Sequence, residues 1–347
     1  MVNPVFGSVP DGREVHVLTL GREPGPVLEV LTLGATVHRL HVPGADGVRR
    51  NVVLGQATVG DRLGSTAYLG ATVGRYANRI SRGRFELDGH LVEVGTNDRG
   101  NSLHGGPDGF DRKLWEVRRQ SSDAATLGLV SPDGDMGFPG TVEVSVTYEV
   151  LDGTVRVTHE ATTDAPTVVN LTNHTYFQLD GDGVGTVDGH LLSVDADEFT
   201  PVDDTGIPLG GHASVAGSPF DLRSPVALGV AVRADHEQLR PAQGIDHNFV
   251  VRGSGLRRAA ALESGRTGLR LEVWSDQPGL QVYTGNFLDG ALRSTEGRAY
   301  RQGDGIALEP QLPPDTPNHP EWLTARLGPG ERYRSVLEWR FSSPGAR

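Results

Sequence analysis

The stretch TVEVSVTYEVLDGTVRVTHEAT, residues 141–162, constrains the fold more than any other part of the chain. Apolar and polar residues alternate on both sides of Asp152-Gly153. This is the pattern of two antiparallel strands, each with one buried face, joined by a two-residue type I′ turn. Such a pair cannot bury its apolar face alone; it needs further strands beside it and a second layer against it. Similar short runs recur at 13–20, 26–33, 84–94 (a hairpin folding at Asp88-Gly89), 190–202, 246–253, 269–276, 280–287, 305–311 and 333–341. With 47 glycines and 22 prolines between and within them, long helices are disfavoured. Only AVRADHEQLR, 231–240, lying between a Ser-Pro pair and Pro241, carries a helical pattern. There is no βαβ alternation, no internal repeat and no low-complexity linker. The expectation is an all-β fold, a large antiparallel β-sandwich, with residues 1–347 as a single domain.

A formal net charge of −12 argues against nucleic acid or an anionic membrane as the main partner and leaves a neutral small molecule unaffected. The absence of cysteine excludes disulfides, thiolate nucleophiles, zinc–sulfur sites and iron–sulfur clusters. Lys113 is the only lysine, so a Schiff-base mechanism would have to use it. The first 25 residues lack a basic start and an apolar segment, and the longest uncharged apolar run, 226–232, is too short for a bilayer. A cytoplasmic setting is the expectation.

One strand-like segment carries an unusual surface. In NLTNHTYFQL, 170–179, Val169, Leu171, Thr175 and Phe177 suit a core, whereas Asn170, Thr172, His174 and Tyr176 form a polar row without lysine, arginine or glutamate. A row of this kind asks for solvent or for a ligand rich in hydroxyls, and a ligand is the better reading. In GIALEPQLPPDTPNHPEW, 305–322, Glu309 leaves the strand on the face opposite Ile306 and Leu308, and Pro310, Pro313 and Pro314 stiffen the chain beyond it. A rigid frame of this kind suits a general base, and it equally suits an exposed glutamate on a surface loop. In NSLHGGPDGFDRKLW, 101–115, His104 precedes two glycines that would let backbone approach a ligand, or mark an ordinary turn. Asn78 and Arg79 lie in GRYANRISRGRF, where spacing alone favours a solvated basic turn over a sugar-binding fork. Asp246, at a strand start in GIDHNFV, could accept two sugar hydroxyls or form an Asx-turn. Gln281 and Tyr283 share a face in LQVYTGNF. Phosphate-loop, nucleophile-elbow and zinc-helix patterns are absent, so no metal or cofactor is called for.

Taken in order, NRISRGRF, NSLHGGPDGFDRKLW, NLTNHTYFQL, GIDHNF, LQVYTGNF and EPQ…PDTPNHPEW resemble the motifs of the galactose mutarotase (aldose 1-epimerase) family, from about residue 70 to the C-terminus. The resemblance implies a large β-sandwich with an open sugar cleft on a sheet face. It makes Glu309 the general base and His174 the general acid, and places Asn78, Arg79, His104, Tyr176, Asp246 and Gln281 on sugar-contacting positions. It implies no cofactor, and a protein that is a monomer or homodimer. Gln178 stands where the family often has Asn, and Pro310 where it often has Thr; each adjoins a catalytic position and bears on choice among sugars.

The implied reaction interconverts α and β anomers of hexoses such as galactose or glucose, and it needs what this chain has. A base removes the C1 hydroxyl proton while an acid on the opposite side of the sugar protonates the ring oxygen. The polar row at 170–176 is expected to face that sugar. The rivals are a glycoside hydrolase pairing Asp246 with Glu309, an epimerase of hexose 6-phosphates, and a non-catalytic carbohydrate-binding protein of the same fold.

Overall fold

The computed structural model describes residues 3–343. Its largest sheet has nine antiparallel strands, in the order Glu116–Gln120, Ala124–Ser131, Val142–Leu151, Thr154–Thr163, Tyr333–Ser342, Arg270–Ser275, Arg257–Ser264, His190–Val194 and Val226–Ala227. A six-stranded sheet faces it: Tyr176–Phe177, Ile306–Gln311, Gly279–Tyr283, Asp246–Val251, Ala196–Phe199 and Ala213–Ser214. The N-terminal part supplies five more strands, among them Glu14–Gly21, Val27–Leu31 and Thr36–Pro43. One apolar core draws on all three: Leu28 and Val37, Val146 and Trp339, Phe249 and Leu280. Phe177 meets Trp339 edge-to-face across it, with ring centroids 5.3 Å apart.

The hairpin at 141–162 forms in the expected register, Leu151 opposite Thr154, with inward residues buried along both strands. Its turn differs from expectation. Gly153 is left-handed (φ 65°) but Asp152 is not, so this is not the type I′ turn, which needs both. Asp88 and Gly89, at φ 51° and 82°, do have that signature. The run 190–202 is two strands rather than one. His190–Val194 lies in the large sheet and Ala196–Phe199 in the smaller, and the chain crosses at Asp195, whose carboxylate Arg258 holds through Nε at 2.7 Å.

No helix spans 231–240. Single turns, Leu228–Ala231 and Leu239–Ala242, flank an irregular stretch. Gln238 itself keeps helical backbone angles and caps the second turn, while its side-chain amide brackets the backbone of Val202, accepting from N at 2.8 Å and donating to O at 3.1 Å. No helix among the described residues is long and apolar enough to cross a membrane.

Candidate active site

The face of the six-stranded sheet turned away from the core is polar. Cross-strand register sets Asn248 opposite Gln281 and Gln281 opposite Glu309, while Asp246 faces Tyr283 and Ala307 faces Tyr176. Their neighbours one residue along, such as Phe249, Leu280 and Leu308, point into the core. The alternation that builds the sandwich therefore also collects acids, amides and phenols on one floor. Pro310 sits in this sheet at no cost to pairing on its far side, because Tyr176–Phe177 reaches only as far as Ile306 and Ala307.

Loops wall the floor into a cleft of about 1050 Å³. Asn78, Arg79, His104, His174, Tyr176, Asp246 and Glu309 all line it. Gln281 does not. It stands behind Asp246 and donates Nε2–H to Oδ1 at 2.7 Å, so it fixes the carboxylate rather than facing the cleft. The 170–177 segment also departs from the single strand expected. It forms two short pairings, Thr172–Asn173 with Thr72–Val73 and Tyr176–Phe177 with the 306–307 region, and bends between them. His174 and Tyr176 consequently enter the cleft, whereas Asn170 turns to backbone, donating to Ala77 O at 3.1 Å and accepting from Leu312 N at 3.1 Å. The polar row is thus not continuous, and Thr172 is buried away from the cleft.

Glu309 Oε1 lies 3.5 Å from His174 Nε2. The two stand side by side instead of on opposite sides of a sugar. Burial, and next the nearby Asp246, push the Glu309 carboxyl well above the usual carboxylate range, against the pull of Arg79. Burial likewise drives the His174 imidazole down to about 4. Both shifts favour neutral side chains, and a single proton shared by the pair satisfies both.

His104 is fixed through its backbone and its ring. Its N–H donates to Asn78 O at 3.1 Å, and its Nδ1 accepts from Asn78 N at 3.1 Å. Asn78 and His104 are both left-handed, at φ 63° and 52°. With Nδ1 occupied as an acceptor, the neutral ring carries its proton on Nε2 and is a donor. His104, His174 and Glu309 offer atoms within 4.8 Å of one another, close enough to encircle an ion. A metal ligand would need the His104 nitrogen bare, so the trio is better matched to hydroxyl oxygens. Of the adjoining glycines, Gly106 lines the cleft. Gly105 serves chain packing instead, since a Cβ there would fall 2.0 Å from Gly74 O.

Arg79 is held at both edges. Nε donates to Asp98 Oδ2 at 2.8 Å, and Nη1 stands 4.0 Å from Asp246 Oδ2. Gly206 packs against the guanidinium, where a Cβ would come within 2.8 Å of Cζ. Arg99 Nη1 to Asp204 O (2.7 Å) and Asn101 Nδ2 to Thr205 Oγ1 (3.1 Å) pin that loop down. Asp98 and Tyr68, both lining the cleft, carry no sequence signal of their own: one reads as a turn acid, the other as a lone aromatic.

A family model described as Aldose 1-epimerase matches residues 16–340. The aldose 1-epimerase of Escherichia coli (strain K12) is 41% identical over 347 residues, covering 98% of this chain and 99% of that protein. The galactose mutarotase of Homo sapiens is 40% identical over 340 residues, covering 97% of each. Among solved structures, a GalM/aldose epimerase homologue from C. elegans superposes with a TM-score of 0.89 at 32% identity, covering 95% of this chain and 99% of that one. A galactose 1-epimerase from Lactobacillus acidophilus gives 0.85 at 31% identity, covering 98% and 97%. With matches of this length in sequence and fold, the chain belongs to the aldose 1-epimerase family.

Proposed function

We propose that Glu309 is the general base and His174 the general acid of the epimerase reaction, which interconverts the α and β anomers of hexoses by ring opening and reclosure. The observation that carries this assignment is the 3.5 Å approach of the two side chains at the floor of a cleft lined by hydrogen-bonding groups. The anomeric oxygen and the ring oxygen of a pyranose are bonded to the same carbon, so an acid and a base standing side by side can serve both.

In the productive proton distribution Glu309 is ionised and His174 protonated. Glu309 takes the proton of the C1 hydroxyl and His174 gives its proton to the ring oxygen. The C1–ring-oxygen bond breaks as the C1 carbonyl forms. Rotation about C1–C2 presents the other carbonyl face; the ring hydroxyl adds to it, returns its proton to His174, and the new C1 oxygen recovers a proton from Glu309. Atoms and protons balance, and each residue ends as it began. His104 donates from Nε2 and Arg79 from its free N–H groups to sugar oxygens, while Asp246 and Asn78 accept hydroxyl hydrogens.

A free, neutral hexose is the substrate class that the cleft electrostatics support. Asp98, Asp204, Asp246 and Asp289 line it against Arg79, Arg99 and Arg112, while burial pushes the Asp111 and Glu309 carboxyls up toward their neutral forms. Arg79 and Arg99 are both paired with Asp98, which leaves little for a sugar phosphate. A cytoplasmic setting is part of the same proposal, supported by a cysteine-free composition that needs no oxidising compartment.

Polarimetry on freshly dissolved α-D-galactose and α-D-glucose, with the spontaneous rate subtracted, tests the assignment. Acceleration by the wild-type chain that disappears in Glu309→Gln supports it. Undiminished acceleration by that variant removes Glu309 as the base.

A further inference from the structure

Tyr68 occupies a backbone conformation that bulky side chains avoid, with φ at 54°. A non-glycine residue held there is over-determined by its surroundings, and such positions concentrate at functional sites. The surroundings here are specific. Ala71 N donates to Tyr68 O at 2.9 Å; Gly70 N donates to His174 O at 2.9 Å; and His174 N donates to Ala71 O at 2.8 Å. The segment bearing Tyr68 is thus laced through its main chain to the residue proposed as the acid.

The side chains meet as well. The Tyr68 ring lies nearly parallel to the His174 ring, at 29° with centroids 5.8 Å apart. The Tyr176 ring also lies nearly parallel to it, at 27° and 5.0 Å. Tyr176 Oη donates to Ala67 O at 3.0 Å, on the residue just before Tyr68. Asn97 Nδ2 donates to the Tyr68 hydroxyl at 3.2 Å and tethers the far end of that ring. Phenol, imidazole, phenol and the 67–68 backbone close a loop of contacts in which neither tyrosine can shift without disturbing the other.

We infer that Tyr68 is a positioning residue for His174: together with Tyr176 it forms an aromatic clamp that fixes the imidazole plane and favours the imidazolium needed for ring opening. The inference rests on the assignment of His174 as the acid. Its physical basis is the negative face of an aromatic ring, which attracts a cation set against it. That attraction matters here because burial drives the imidazole toward its neutral form. The other titratable groups facing His174 are His104, Glu309, Tyr283 and Asp246, with Arg79 beside Asp246. Asp246 also favours the cation, as does Glu309 when ionised; Arg79 opposes it, and His104, held neutral by burial, adds no charge.

The test compares Tyr68→Phe, which keeps the ring face and loses only the hydroxyl, with Tyr68→Leu, which removes the face. Tyr68→Phe is expected to retain kcat within about twofold. Tyr68→Leu is expected to lower kcat about tenfold with a smaller change in KM, and to lower the His174 titration midpoint, followed by 15N NMR, by about one pH unit. Equal losses in the two variants, or an unmoved His174 titration in Tyr68→Leu, would overturn the clamp. Should Tyr68→Leu unsettle the fold, phenylalanines of increasing fluorination at position 68 keep the shape while draining the ring face. A stepwise fall in kcat then supports the inference, and a kcat indifferent to fluorine overturns it. The titration reads the clamp whichever group is the acid, and His174→Asn tests the acid separately, so the two failures are distinguishable.

Discussion

His174 Nε2 stands 3.5 Å from Glu309 Oε1, with side-chain exposures of only 6% and 2%. The proposed acid and base are therefore electrostatic neighbours in a poorly solvated place, and the proton on one sets the charge of the other. The loss expected on removing either is large. Glu309→Gln and His174→Asn should each reduce kcat by at least about a hundredfold, the usual contribution of a positioned acid or base. Glu309→Gln should bind galactose nearly as well as wild type, because the amide keeps the carboxylate shape. Polarimetric kinetics and calorimetric binding together check both statements.

The same pair predicts the pH–rate profile. As pH falls through about 4, His174 takes a proton while Glu309 already holds one, and the base is lost. As pH rises, the shared proton leaves the pair and the acid is lost. The rate kcat/KM should therefore be bell-shaped with a broad plateau, its acidic limb near 4, and initial rates from pH 3.5 to 10 would show it. A profile without an acidic limb would contradict the shared proton.

Stability should fall in acid for a reason outside the cleft. Burial drives His38 down to about 2, and His159 and His247 down to about 4. Once unfolded, each returns toward the ordinary value of about 6.5. Below that value the unfolded chain binds more protons than the folded one, so stability is complete above about 6.5 and declines as pH falls toward 4. Urea midpoints measured at pH 7 and pH 5 should drop, and His159→Gln should show a shallower drop than wild type.

Asp98 should matter to binding more than to chemistry. Its Oδ2 accepts from Arg79 Nε at 2.8 Å and aims the remaining guanidinium N–H groups into the cleft. Asp98→Ala leaves Arg79 with Asp246 as its remaining carboxylate partner, and KM should rise about tenfold, as befits loss of a charge-assisted hydrogen bond of roughly 1.5 kcal/mol. A fall in kcat at unchanged KM would count against this role.

Gly279 gives a packing prediction. A Cβ there would lie 2.3 Å from Asn248 Oδ1 and 3.0 Å from Gln311 O, on the floor of the six-stranded sheet. Gly279→Ala must displace a buried amide, and it should cost about 1–3 kcal/mol, read from denaturant melts.

Legibility in the sequence tracks burial. The hairpin at 141–162 is plain because each strand has one wet face, and period-two alternation survives only under that condition. Strand Arg257–Ser264 leaves no such trace because Ala259, Ala260, Ala261 and Leu262 are all buried, which erases alternation. The 170–177 row alternates polar and apolar residues and so reads as one strand although every residue in it is buried, and its division into two short pairings has no signature of its own. Among the site residues, those in extended motifs are readable, whereas Tyr68 depends on a left-handed backbone and a main-chain ladder that no spacing encodes.

The large sheet has a strand in its middle drawn from residues 333–342, seated between Thr154–Thr163 and Arg270–Ser275. Its pairing joins Thr154 to Arg340, so much of the molecule must be in hand before this seam can close. Folding rates slow as contacts become more distant in sequence, and this seam belongs to the slow class. A shortened chain lacking it would present two unsealed edges, an invitation to self-association rather than a smaller working enzyme. In expression and refolding the vulnerable interval is the wait for the last long strand, well before any sugar is met.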